Sequence, residues 1–178
     1  MKKVGLGLLF IFVIGSSLGM LYGNFLNKFL PKKVQYEPVS YTESYIEFLR
    51  PEVDPELRSI IAKHVDKNCA EMNLAPELVI SVIAKESSFV PWAVSRQNCI
   101  GLMQINPPHH KEKCEGYTRS QLFHIEHNVR IGCMILKEYL EMSKTPEEAL
   151  GRYIGEQGAL TYKKDILSMT VQLYQRRI

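Results

Sequence analysis

One spacing constrains the fold more than any other feature. Leu57, Ile60, Ile61, Val65, Cys69 and Met72 recur three and four residues apart, which lays an apolar stripe along one face of a helix. Asp54-Pro55 starts that helix as N-cap and first-position proline, and Asn73 ends it. Pro76 opens a second helix that buries Leu78, Val79, Val82 and Ile83 and finishes at Lys85-Glu86. A third is expected from Glu126 to Met142, with Val129, Cys133, Leu136 and Leu140 inward and Gly132 leaving room for another backbone. Thr145-Pro146-Glu147-Glu148 reads as a capping box with proline at the first position. It begins a helix carrying Ala149, Leu150, Tyr153 and Ile154, and Tyr162 to Met169 forms a last one. No stretch longer than a few residues alternates with period two, and no hairpin dipeptide separates apolar runs. The expectation is an all-α domain with irregular loops over 88–125.

The chain divides into three. Val4 to Asn27 holds no charged residue, long enough for a membrane-crossing helix. Lys2-Lys3 before it fits an export signal or signal anchor. Seven glycines and serines dilute its hydrophobicity, and Ser17-Leu18-Gly19 resembles a cleavage site, so anchor and removed signal peptide both stay open. Residues 28–53, punctuated by Pro31, Pro38 and Pro51, are expected to be a polar spacer with at most one short helix. Residues 54–178 are the globular domain. Five lysines and no acids lie in 1–33, so 34–178, with 17 basic and 19 acidic side chains, has a net charge of −2. A nucleic-acid partner is not expected, because phosphate binding needs a clustered cationic face.

Cys69, Cys99, Cys114 and Cys133 all follow the uncharged segment. An even count in an exported domain suggests two disulfides. Three pairings are possible, and sequence does not choose between them; Cys99–Cys114 and Cys69–Cys133 are the pairs expected here. No Cys-x-x-Cys occurs, and His109-His110 lack ligand-like spacing to the thiols, so no metal and no cofactor are expected.

Glu86 carries the chemical reading. It ends an apolar helix and is followed by Ser87, Ser88, Phe89 and then Trp92, the single tryptophan. A carboxyl packed on apolar surface has a raised pKa and can act as a general acid near neutral pH. Glu86-Ser87-Ser88-Phe89, Ser95 nine residues after the glutamate, and Gly101-Leu102-Met103-Gln104-Ile105 together resemble the soluble lytic transglycosylase family, lysozyme-like enzymes of bacterial cell-wall cleavage. Asn128, Gly132 and Tyr139-Leu140 are similar to that family's asparagine–glycine–tyrosine-leucine helix. Ala149 to Gly155 sits where the family has alanine-tyrosine-asparagine-x-glycine, with Ile154 in place of the asparagine and Gly155 one residue early. Tyr162 with Ile166-Leu167 resembles the closing tyrosine helix. The resemblance covers residues 57–170.

The resemblance implies a lysozyme-like fold and peptidoglycan glycan strands as substrate. It makes Glu86 the acid and then the base. Ser95, Met103 and Gln104 would line the sugar sites, and Tyr153 would orient the glutamate. It further implies cleavage between N-acetylmuramic acid and N-acetylglucosamine with 1,6-anhydro ends, outside the cytoplasmic membrane. There the domain would be tethered through residues 4–27 or released to the periplasm, in the service of a secretion, conjugation or phage machine. Between Glu86 and Glu112 there is no carboxylate, which suits a mechanism that uses one acid rather than the usual pair. A hydrolytic muramidase on the same scaffold, or a non-catalytic peptidoglycan-binding protein, are the alternatives.

Overall fold

A computed structural model describes residues 40–155 and 160–177. Seven α-helices are present among them: α1 (Tyr41–Leu49), α2 (Pro55–Met72), α3 (Pro76–Ser87), α4 (Lys111–Cys114), α5 (Ile125–Met142), α6 (Pro146–Ile154) and α7 (Leu160–Arg176). A 3-10 turn spans Gln121–Phe123. The described residues contain only isolated β-bridges, Val94–Ile100 and Ile100–Ile105, and no strand. The uncharged run 4–27 lies outside the described residues. No helix among those described is long and apolar enough to cross a membrane.

The helices start where local chemistry places them. The Asp54 carboxylate accepts from the amides of Glu56 and Leu57, and Asn73 closes α2 in the left-handed conformation at φ 53°. The Thr145 hydroxyl accepts from the Glu148 amide. Glu148 reaches back to the Lys144 amide rather than to that of Thr145, a capping box displaced by one residue.

α3 is the hub. It packs against α1, α2 and α7, while α5 packs against α2 and α6. Every residue from Leu78 to Ala84 is buried, as expected of a helix surrounded on all sides. Val129, Cys133 and Leu136 turn one face of α5 into this main core. Ile131 and Ile135 turn another into a smaller cluster with Ile100, Ile105, Cys114 and Leu122. That second cluster underlies the irregular segment between α3 and α5 and gives its loops a fixed seat.

The second half of the expected spacer is folded. Tyr45 and Ile46 belong to the main core, at 2% and 0% exposure. The Ser40 and Thr42 hydroxyls both donate to Asp66, and the Tyr45 hydroxyl donates to buried Glu77 at 3.0 Å. Arg176 of α7 sits 3.8 Å from the Phe48 ring centroid. These partners lie 24 residues and more downstream of α1, beyond the reach of local pattern. α7 also exceeds expectation, continuing past Met169 because Leu173, seven residues after Ile166, is buried too.

The expected disulfides are not formed: all four cysteines are free thiols. Cys69 and Cys133 are neighbours across α2 and α5, joined by a thiol hydrogen bond. That bond and burial push the Cys133 thiol far above its ordinary value. Cys114 is buried in the second cluster, and Cys99 is partly exposed.

Candidate functional site

Glu86 occupies the last turn of α3. The chain then reverses through two consecutive left-handed residues, Ser88 at φ 50° and Phe89 at φ 63°. Such conformations are costly without glycine, and the burial of Phe89 at 1% exposure holds them. The reversal leaves Glu86 on the wall of a cleft of about 440 Å³. Burial raises its carboxyl from an ordinary 4.5 to about 7, against the opposing pull of a hydrogen bond from the Tyr162 hydroxyl. Glu86 is the single carboxylate lining the cleft among the described residues. Lys85 pairs with Asp165 at 2.6 Å and lies 5.5 Å from the Tyr162 ring centroid, so the end of α3 and the first turns of α7 are clamped together beside the acid.

The opposite rim is a built turn. The amides of Ile100 and Ile105 donate to each other's carbonyls, and Gly101 to Gln104 form the loop between them. Gly101 has φ +76°, and a β-carbon on it would lie 2.3 Å from Asn128 Nδ2, so both backbone and space demand glycine. Asn128, fully buried on α5, supports the turn with three hydrogen bonds. Its Oδ1 accepts from the Met103 amide at 2.8 Å, and its Nδ2 donates to the carbonyls of Ile100 and Leu122. One helical turn on, Gly132 makes room for Met103, where a β-carbon would lie 2.3 Å from Sδ and 2.6 Å from Cβ. The neighbour Gly132 admits is thus a side chain, not the backbone expected from sequence.

The site residues expected from sequence fall into two groups. Glu86, Ser95, Gln104 and Tyr153 line one cleft. Met103 does not: it is fully buried beneath the turn and acts as its anchor. The Ser95 hydroxyl accepts from the amides of Gln97 and Cys99, which fixes its position and leaves its proton to donate. Gln104 Nε2 donates to the carbonyls of Ala93 and Gly101, freeing Oε1. Tyr153 lines the cleft but donates its hydroxyl to the Met103 carbonyl at 2.9 Å. The glutamate is instead contacted by Tyr162. Sequence separation of 76 residues hid that contact.

Sequence reasoning also passed over His109, His110, Tyr139 and Arg152, all of which line the cleft. His110 packs edge-on against Tyr139, and Tyr139 edge-on against Tyr153, at 6.1 and 6.4 Å. Burial, with nearby Lys113 second, holds His110 below its ordinary value, which favours the neutral ring. The position of Tyr139, seven residues after Gly132 on the same helix, was the available signal. No group of three or more metal-ligating side chains gathers among the described residues. The site can hold a polar ligand against aromatic faces and offer it one proton.

The family model of the transglycosylase SLT domain matches residues 63–167. Among solved structures, the chain is similar to the X-ray structure of an inactive mutant of lytic transglycosylase Slt from Pseudomonas aeruginosa. The TM-score is 0.54 at 17% identity, over 75% of this chain and 30% of that one. The likeness is one of fold, and the chain spans less than a third of that protein's length. No curated protein matches it significantly.

Proposed function

Because the chain belongs to the transglycosylase SLT domain family, we propose that it cleaves peptidoglycan glycan strands between N-acetylmuramic acid and N-acetylglucosamine. The product is a 1,6-anhydro end. The observation that carries this reading is one buried carboxyl, raised to about 7, lining the cleft with no second carboxylate among the described residues. Two-carboxylate glycosidases need a partner acid to act as nucleophile or to activate water. Among the described residues that line the cleft, Glu86 is the one acid able to serve both proton transfers.

In the proposed sequence, protonated Glu86 gives its proton to the glycosidic oxygen as the bond to the anomeric carbon breaks. The muramic acid's own N-acetyl oxygen stabilises the electron-poor carbon. The Glu86 carboxylate then takes the proton of the same sugar's 6-hydroxyl, whose oxygen closes on the anomeric carbon. The acid is regenerated and no water is consumed. Tyr162 donates to Oε1, so Oε2 is the oxygen left to carry the acid proton. Ser95 and Gln104 offer a hydroxyl donor and an amide acceptor to N-acetyl groups, and the Tyr139–Tyr153 wall offers ring faces. Mass spectrometry of products from purified sacculi tests the scheme. Anhydro ends support it, whereas reducing ends would assign hydrolysis instead.

The pH profile follows from the same geometry. The acid must begin protonated, so kcat/KM is expected to fall as pH rises through about 7. In Tyr162→Phe the bond that favours the carboxylate is gone, so the carboxyl rises further and the alkaline limb moves to higher pH. Turnover drops about tenfold or more as the acid loses its orienting contact. A limb that stays in place, or moves to lower pH, would contradict the role given to Tyr162.

A further inference from the structure

Three consecutive residues at the end of α6, Arg152, Tyr153 and Ile154, line the cleft, because the helix stops there at Gly155, φ +81°. Arg152 is the single arginine or lysine lining it among the described residues. Its side chain is 43% exposed, and Nη2 is held by Glu148 at 3.2 Å. Glu148 is itself fixed by the amide of Lys144 at 3.0 Å. The guanidinium is therefore tethered along one edge at the cleft rim, and Glu148 is its one bonded partner among the described residues. A neutral sugar backbone has no need of a full positive charge. The muramic acid of a glycan strand does carry an anion: the lactyl carboxylate when no peptide is attached, or the carboxylates of the attached peptide.

We propose that Arg152 is a specificity residue that pairs with a carboxylate borne by the muramic acid, and so separates wall glycan from neutral N-acetylglucosamine polymers. The proposal rests on the peptidoglycan reading given above. Arginine suits the task because its planar fork meets a carboxylate with two parallel hydrogen bonds, which an ammonium does not reproduce. An arginine serving only its i,i+4 pair with Glu148 would support α6 and would not distinguish one glycan from another.

Binding of three ligands to the full chain tests this, measured in a Glu86→Gln background so that nothing is cleaved. The ligands are hexameric N-acetylglucosamine, which has no carboxylate, peptide-free wall strands with lactyl carboxylates, and peptide-bearing strands. Adding Arg152→Ala is expected to weaken binding of carboxylate-bearing strands about tenfold more than that of the hexamer. Arg152→Lys recovers part of the loss. A loss on peptide-free strands alone assigns the lactyl carboxylate as the source, a loss on peptide-bearing strands alone assigns the peptide, and a loss on both shows that Arg152 accepts either carboxylate. Equal loss on all three ligands, or no loss on any, overturns the proposal and leaves the transglycosylase reading intact. Failure of the Glu86→Gln chain to bind any glycan overturns both.

Discussion

Glu86→Gln is expected to abolish wall lysis, with turnover lowered at least 10²–10⁴-fold, the usual worth of a positioned acid–base group. The amide keeps the size of the carboxyl and an oxygen to accept from Tyr162, so the cleft keeps its shape and the deficit is one of proton transfer. Wild-type lysis by this variant would remove the mechanism. The same substitution should stabilise the protein at alkaline pH. The unfolded carboxyl loses its proton near 4.5, and the folded one keeps it to about 7. Between those values the folded state holds more protons, so stability falls as pH rises. The penalty is absent below 4.5 and complete above 7. There it amounts to about 3 kcal/mol, taking 1.36 kcal/mol for each tenfold change in acidity. Glutamine carries no such penalty. Thermal unfolding of both proteins at pH 4 and pH 8 checks this: the variant should gain at pH 8 and not at pH 4. Equal stability at both would mean that Glu86 is better solvated than its burial implies.

A residue whose ionised form destabilises the fold is the kind of local conflict that marks a functional site, and it also shows what sequence could reveal. Local features were legible. Asp54-Pro55 and Thr145-Pro146 placed the starts of α2 and α6, and three-four spacing placed the buried face of α5 and most of that of α2, where Ile60 is exposed; α3 is buried on every side and has no face for spacing to mark. Each rests on contacts within a turn or two, which spacing records. The acid was legible for a related reason, since a carboxylate ending an apolar helix is a conflict within a few residues. What sequence did not reveal depends on partners far along the chain. α1 is docked by Tyr45 and Ile46 in the main core and by bonds to Asp66 and Glu77, partners that its nine residues do not reveal. Tyr153 and Tyr162 both read as helix-face aromatics, and only the packing of α7 against α3 decides which one reaches Glu86. Met103 follows buried Leu102 and precedes Gln104, and two consecutive side chains of the Gly101–Gln104 turn enter the core, which no simple period describes. Arg152 drew no reading from its sequence position, and the shape of the cleft places it at the rim.

The turn that carries Gln104 provides the second large effect. Asn128→Asp is expected to destabilise the domain by about 3–5 kcal/mol and to cost most of the activity. The side chain is fully buried, and its orientation follows from its neighbours: an N–H faces Oδ1, and two carbonyls face Nδ2. Aspartate keeps the first bond but turns an oxygen toward the carbonyls of Ile100 and Leu122. Ionised, it is an unpaired buried charge; protonated, it satisfies one carbonyl and leaves the other. Each buried polar group so abandoned costs about 1–3 kcal/mol. Asn128→Ala removes all three bonds and should cost at least as much. The damage spreads to the site by a short path. Without Oδ1 to hold its amide, Met103 is free to shift, its carbonyl is the acceptor for Tyr153, and Gln104 follows it directly in the chain. Denaturant titration reads the stability, and turnover at a temperature where the variant is still folded reads the site. A fully active variant of wild-type stability would show that the turn is held by its own mutual Ile100–Ile105 bonds. Stability lost with turnover intact would show that Asn128 supports the fold without setting the position of Gln104.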